Sequence, residues 1–188
     1  LTMESTSHSA LDLAYRLMID GRYEEAIPLF GSIVDQEPLA NLYLGWMYEN
    51  GHGVKPSIET AENFYRVIAD TNSSEGQYRL AYLLERTDRQ GEAVRLYEKA
   101  SQAGYPQAFY RLNRAYACGR GVAPDKVKAR NYSQEAARRG HIYAQRDLAL
   151  DLIKTGNPVG CVKWISAIAR IVHTIVNNPH TMKRSASR

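Results

Sequence analysis

The sequence predicts an all-α protein, a solenoid of about five antiparallel helix pairs in tandem. Three observations carry that expectation. The stretch Ala40-Asn-Leu-Tyr-Leu44-Gly45-Trp-Met-Tyr48-Glu-Asn-Gly51-His-Gly53-Val54, followed by Ala61, recurs from Ala108 through Leu112, Tyr116, Gly119, Gly121 and Val122 to Ala129, at a constant offset of 68 residues. Half of that offset, 34, accommodates one further helix pair between the two copies, and similar patterns flank them. Within each segment apolar residues return at i, i+3, i+4 and i+7, the period of a helix with one buried face.

The pairs follow in order. The first, over residues 8–37, reads Ser9, Leu13, Ala14 and Leu17, then Ala26, Leu29, Phe30 and Ile33. Pro28 falls inside its second helix, where it removes an N–H and is expected to kink or delay the helix. The second pair spans 38–72. The third spans 74–104, with Gly76, Leu80, Ala81 and Leu84, then Ala93, Leu96, Tyr97 and Ala100. The fourth spans 105–140. The fifth spans 141–176, with Ala144, Leu148, Ala149 and Leu152, then Cys161, Trp164, Ile165, Ile168 and Ala169.

The distance from the small residue of the first helix to that of the second is 17 in pairs one, three and five (9→26, 76→93, 144→161). It is 21 in pairs two and four (40→61, 108→129), and only those pairs carry Gly-x-Gly-Val. Two long glycine-bearing loops therefore alternate with short ones. Residues 1–7 and 177–188 are expected to be disordered ends, the second one basic.

Leu-Gly-x-x-Tyr, Gly-x-Gly-Val and Ala-x-x-Phe/Tyr, as in Leu44-Gly45-Trp-Met-Tyr48 and Ala61-Glu-Asn-Phe64, resemble Sel1-like repeats, and the shorter pairs are similar to tetratricopeptide repeats. The likeness covers about residues 8–176. It departs where the glycine after leucine is Ala14, Ala81, Asn113 or Ala149, and the regular cysteine pairs of some Sel1-like proteins are absent.

The resemblance implies a right-handed α-solenoid that acts without catalysis, as an adaptor or scaffold in signalling or complex assembly. It also implies that the first helix of each pair, the A helix, lines a concave groove. By that analogy the residues two after the repeat leucine face inward: Tyr15, Trp46, Tyr82, Arg114 and Leu150. So do those two before it: Leu11, Leu42, Tyr78, Tyr110 and Arg146. Tyr15, Trp46, Tyr78, Tyr82, Tyr110, Arg114 and Arg146 are the groove candidates, because aromatic and arginine side chains are the usual interface anchors. The two arginines would hold a carboxylate or phosphate of an acidic peptide or protein partner. Packing between helices is the competing reading for any one tyrosine, since the chain has 13 of them against 3 Phe and 2 Trp.

Catalytic and cofactor chemistry finds no support. Gly51-His-Gly53 and Gly119-Arg-Gly121 follow no strand and precede no Gly-Lys-Ser/Thr, so a phosphate loop is excluded. His8, His52, His141, His173 and His180 form no metal-ligating spacing. No Gly-x-Ser-x-Gly elbow occurs. Cys118 and Cys161 are expected as inert packing residues, Cys161 at a small buried position. Neither a metal nor a cofactor is expected.

The net charge of +4 conceals a gradient: residues 1–100 sum to −7 and residues 101–188 to +11. A basic end suits an acidic partner, and opposite ends of opposite sign allow weak, salt-sensitive self-association. The alternative function is a peripheral membrane or polyanion-binding module in the basic half. In the last helix, 158–176, Lys163, Ser166, Arg170, His173, Thr174 and Asn177 share an arc of about 100°. Trp164, Ile165, Ile168, Ile171, Val172, Ile175 and Val176 take most of the rest. So wide an apolar face should be buried on the last A helix, dimerise, or meet an anionic membrane through 158–188 with Lys183 and Arg184. Nucleic acid is disfavoured because Arg130, Arg138 and Arg139 fall on a second helix while Arg114 falls on a first, which disperses the cations. Absence of a basic n-region with an apolar stretch leads to an expected cytoplasmic location.

Overall fold

The structure is a computed structural model describing residues 3–156 and 159–177. Among the described residues it is all-α, with helices α1 (Met3–Ile19), α2 (Tyr23–Ile33), α3 (Leu39–Asn50), α4 (Ile58–Asp70), α5 (Ser74–Arg86), α6 (Gln90–Gln102), α7 (Pro106–Cys118), α8 (Lys126–Arg138), α9 (Ile142–Lys154) and α10 (Val159–Asn177). They form five helix pairs of the α-solenoid class. The chain divides into two compact units, Leu1–Ala103 with α1 to α6 and Gly104–Arg188 with α7 to α10. Within each unit the main packing joins helices that are consecutive in the chain.

The two long loops are built alike. Gly51 and Gly119 close α3 and α7 in the left-handed region, at φ of 72° and 69°, and their N–H groups donate to the carbonyls of Met47 and Ala115. A β-carbon would stand 2.5 Å from Pro56 Cγ in the first and 2.8 Å from Pro124 Cγ in the second. Glycine is thus required for both backbone angle and space. Each loop then returns to the helix it left: Ser57 N–H donates to Tyr48 O at 2.9 Å and Asp125 N–H to Tyr116 O at 2.8 Å. Ser57 and Asp125 next cap α4 and α8, their side chains accepting from Thr60 N–H in one case and from Val127 and Lys128 N–H in the other. Such a cap is worth about 1 kcal/mol.

Small residues let the helices approach. Ala40, Ala61, Gly76, Ala93, Ala108, Ala129 and Ala144 are all buried. Tyrosines of the second helices fill the interior: Tyr65 and Tyr97 are fully buried. Their hydroxyls are satisfied by the preceding A helix, Tyr65 donating to Glu49 Oε2 at 2.9 Å and Tyr97 to Glu85 Oε2 at 2.8 Å. The same pair of positions makes the same bond in successive repeats.

The terminal pairs depart from the expected register. In α1, Ala14, Leu17 and Met18 are buried, whereas Ser9 is exposed and Leu13 is half exposed. The equivalent Leu44 is buried in a cluster with Phe30 and Ile33 of α2; no described helix lies over Leu13. In α10, Cys161 is exposed, not buried as expected. The helix instead turns Gly160 and Ala167, two turns apart, toward α9. A β-carbon at Gly160 would stand 2.7 Å from the backbone nitrogen of Ile153, so no thiol-bearing residue could sit there. Ile165, placed on the apolar face by periodicity, is exposed in consequence.

Other boundaries also shift. α1 already begins at Met3, ahead of the expected start at residue 8, since Met-Glu-Ser-Thr-Ser holds no helix breaker. α2 runs through the exposed Pro28 to Ile33. Asn177 belongs to α10, while the rest of the expected basic tail lies outside the described residues.

Candidate partner-binding surface

In the first unit the A helices α1, α3 and α5 carry Tyr15, Trp46, Tyr78 and Tyr82. Tyr15 is exposed, and its ring centroid lies 5.5 Å from that of Tyr43, which in turn lies 5.1 Å from the buried Phe30. Tyr43 is half-buried, and burial pushes its phenol above the usual range, reinforced by Tyr15 and Glu75. Tyr78 and Tyr82 stand one helical turn apart with near-parallel rings, 6.4 Å between centroids. The Arg86 guanidinium lies 5.8 Å from the Tyr82 ring and donates to Glu49 Oε1 at 2.5 Å, which ties α5 to α3. The exposed Tyr15 and the half-buried Tyr43, Tyr78 and Tyr82 thus all lie on A helices.

Trp46 is engaged differently. It is half-buried against His52 of the glycine loop, centroids 4.4 Å apart, and His52 stacks on Tyr23 at 4.7 Å. Trp46 thus also anchors the long loop to the start of α2. Leu42, expected to face inward, is buried, and Leu11 packs against the core cluster of α1 to α3.

In the second unit Tyr110, His141 and Tyr143 form a triangle, with Tyr110 stacked on His141 at 4.3 Å and 6.5 Å from Tyr143. The Tyr110 hydroxyl donates to Asp147 Oδ2 at 3.4 Å. Burial, and next the Asp147 charge, push its phenol up, against the pull of Arg114 and Arg146. Arg146 lies over Tyr143 at 5.4 Å and donates through both Nε and Nη2 to Asp147 Oδ1, at 2.9 and 2.6 Å. Its charge is therefore already answered by its own neighbour. Arg114 is exposed and makes no ion pair among the described residues. Burial holds His141 below its ordinary pKa, and its Nδ1 accepts the Ala144 N–H at 3.3 Å, capping α9.

Of the seven sequence candidates, the first unit groups Tyr78 with Tyr82 and sets Tyr15 beside Tyr43. The second groups Tyr110 with Arg146. Tyr43, His52, Tyr143 and Asp147 were missed. Tyr43 and Asp147 lie one residue from a position the repeat analogy selected, Tyr143 lies three residues before Arg146 on α9, and His52 lies in a loop the analogy did not score. Arg130 and Arg138, both on α8 as expected, line one cavity with Lys163 and Arg170 of α10, and Arg114 does not. Among the described residues no cluster of His, Cys, Asp and Glu could hold a metal ion. Among them, too, no helix is long and apolar enough to cross a membrane.

A family model described as Sel1 repeat matches residues 38–70, 74–105 and 107–141. An uncharacterized protein of Neisseria meningitidis serogroup B is 30% identical over 168 residues, 87% of this chain and 35% of its own length. The chain thus spans about a third of that curated relative. A Sel1 repeat protein from Oxalobacter formigenes superposes with a TM-score of 0.75 at 24% identity, over 87% of this chain and 72% of that one. A protective antigen of uropathogenic Escherichia coli with an SLR fold gives 0.71 at 22% identity, over 89% of this chain and 38% of that one.

Proposed function

The chain belongs to the Sel1 repeat family, generally a non-catalytic scaffold for protein interactions, and we propose that it holds a peptide or partner protein against the A-helix aromatic residues. The observation that carries this reading is the contrast between two sets of tyrosines. Tyr65 and Tyr97 are buried and bonded to glutamates, as packing tyrosines should be. Tyr15, Tyr78, Tyr82 and Tyr110, each carried by an A helix, keep part of their rings in solvent. Large, rigid rings left half-wet are favourable contact area, because little side-chain entropy is lost when a partner covers them.

Arg114 is the cation offered to an acidic group of that partner. Arg146 serves as a positioning residue, orienting Tyr143 and Asp147. The role fits the assembly of larger complexes or signalling in the cytoplasm. Replacing Tyr78 and Tyr82 by alanine tests the reading: retained partners should be lost, with the helical signal unchanged.

A further inference from the structure

Between α8 and α10, floored by α9, lies a cavity of about 690 Å³. Leu148, Leu152 and Val162 supply its apolar surface, and Arg130, Lys163 and Arg170 its charge. Arg138 also lines it, already paired with Glu135 at 2.8 Å, as does Asp151, 4.0 Å from Lys154. Arg130 and Lys163 are exposed and have no ion pair among the described residues.

The first unit shows how the same seam is treated when it is to be closed. At the 68-residue offset, Glu62 of α4 corresponds to Arg130 of α8. Glu62 receives Arg66 of its own helix and Arg89, at the start of α6, the latter at 2.7 Å, so a salt bridge spans α4 and α6. In the second unit the glutamate has become arginine, Arg66 has become Gln134, and the facing helix presents Lys163 and Arg170. Like charges across a seam repel and cannot bridge it. The seam is left open, cationic at its rims and apolar at its floor.

Gln145 adds a third observation. Its Nε2 donates to Ala137 O at 2.8 Å, which fixes the amide orientation, while its buried Oε1 has no hydrogen-bond partner. The bond ties α9 to α8 beside the seam, and the enclosed oxygen is turned away from it.

We propose that this seam docks an acidic amphipathic helix of a partner protein. Its apolar side chains would lie on Leu148, Leu152 and Val162 and its carboxylates against Arg130 and Lys163. The seam lies between two helices, α8 and α10, so a single helical segment fits it better than a flat lipid surface.

The test uses the full chain and a fluorescein-labelled synthetic helix of Leu, Ala and Glu, with leucines at i, i+3, i+4 and i+7. A control peptide has lysine for glutamate, and phosphatidylcholine vesicles containing phosphatidylserine form a separate arm. The Glu peptide should bind and the Lys peptide should not. Arg130→Glu with Lys163→Glu should weaken binding by about tenfold or more, and added salt should weaken it further. Val162→Glu, at an exposed position, should weaken it too, whereas Tyr78→Ala with Tyr82→Ala should leave it unchanged. Circular dichroism checks that each variant is folded. Equal binding of both peptides, indifference to the charge reversals, or vesicle binding without peptide binding overturns the proposal.

Discussion

The ring of Tyr65 occupies the space a side chain would need at Gly45: a β-carbon there would stand 2.6 Å from Tyr65 Cε1. The partner position changes with it. At the 68-residue offset, Gly45 becomes Asn113 and Tyr65 becomes Ser133. Serine vacates the volume of a phenol ring, and Asn113 fits, its Nδ2 donating to Ala129 O at 2.8 Å. The departure from glycine at Asn113 is therefore a compensated exchange between two helices of one pair.

Gly45→Ala should destabilise the first unit by about 1–3 kcal/mol, the usual cost of overpacking a core. Urea denaturation measures it. Gly45→Asn combined with Tyr65→Ser should recover stability relative to Gly45→Asn alone. Equal stability of the two would show that the pair is not coupled.

Tyr65→Phe and Tyr97→Phe each remove one hydroxyl from a glutamate of the neighbouring helix, and each should cost about 1 kcal/mol. Similar losses at both sites are expected because the bond recurs at the same repeat position. A loss confined to one site would contradict that equivalence.

His141 gives the second unit a pH dependence. Burial, opposed by the Asp147 charge and aided by that of Arg111, holds the folded imidazole below the ordinary value of 6.5. The unfolded state therefore takes up the proton first. Stability is fully present above about pH 6.5 and declines as pH falls toward the folded pKa. Protonation of Nδ1 would also break the cap on Ala144 N–H. His141→Asn, an N-cap residue that does not titrate, should flatten thermal stability measured across pH 5 to 7. An unchanged pH slope would exclude His141 as its source.

The two groove arginines should behave differently. Arg114→Glu should weaken capture of an acidic partner, since the exposed guanidinium has no ion pair among the described residues. Arg146→Ala should act mainly by freeing Asp147 and loosening Tyr143, giving a smaller loss of capture. A pull-down comparing the variants reads this directly, and a larger effect at Arg146 would reverse the assignment.

Most of the fold was legible because its signals are local. Gly-x-Gly-Val with its proline marks the long loops, and the alternation of 17 and 21 fixes which pairs carry them. The register of α1 and α10 was not legible, because Leu13 and Cys161 take their environment from the presence or absence of neighbouring helices. The aromatic candidates could be named by repeat position. The capture of Arg146 by Asp147 could not, since adjacent helical residues do not ordinarily face each other and the contact depends on how Arg146 lies over Tyr143. Nor could the convergence of Arg130, Arg138, Lys163 and Arg170, which sit on two helices separated by a third.

The most direct test of the interaction-scaffold account is quantitative partner capture by the wild-type chain and by Tyr78→Ala with Tyr82→Ala, with Val127→Ala as an exposed control on α8. The account predicts that at least one partner retained by the wild type and by the control is lost from the tyrosine variant, which stays folded. An identical set of partners for all three proteins would contradict it.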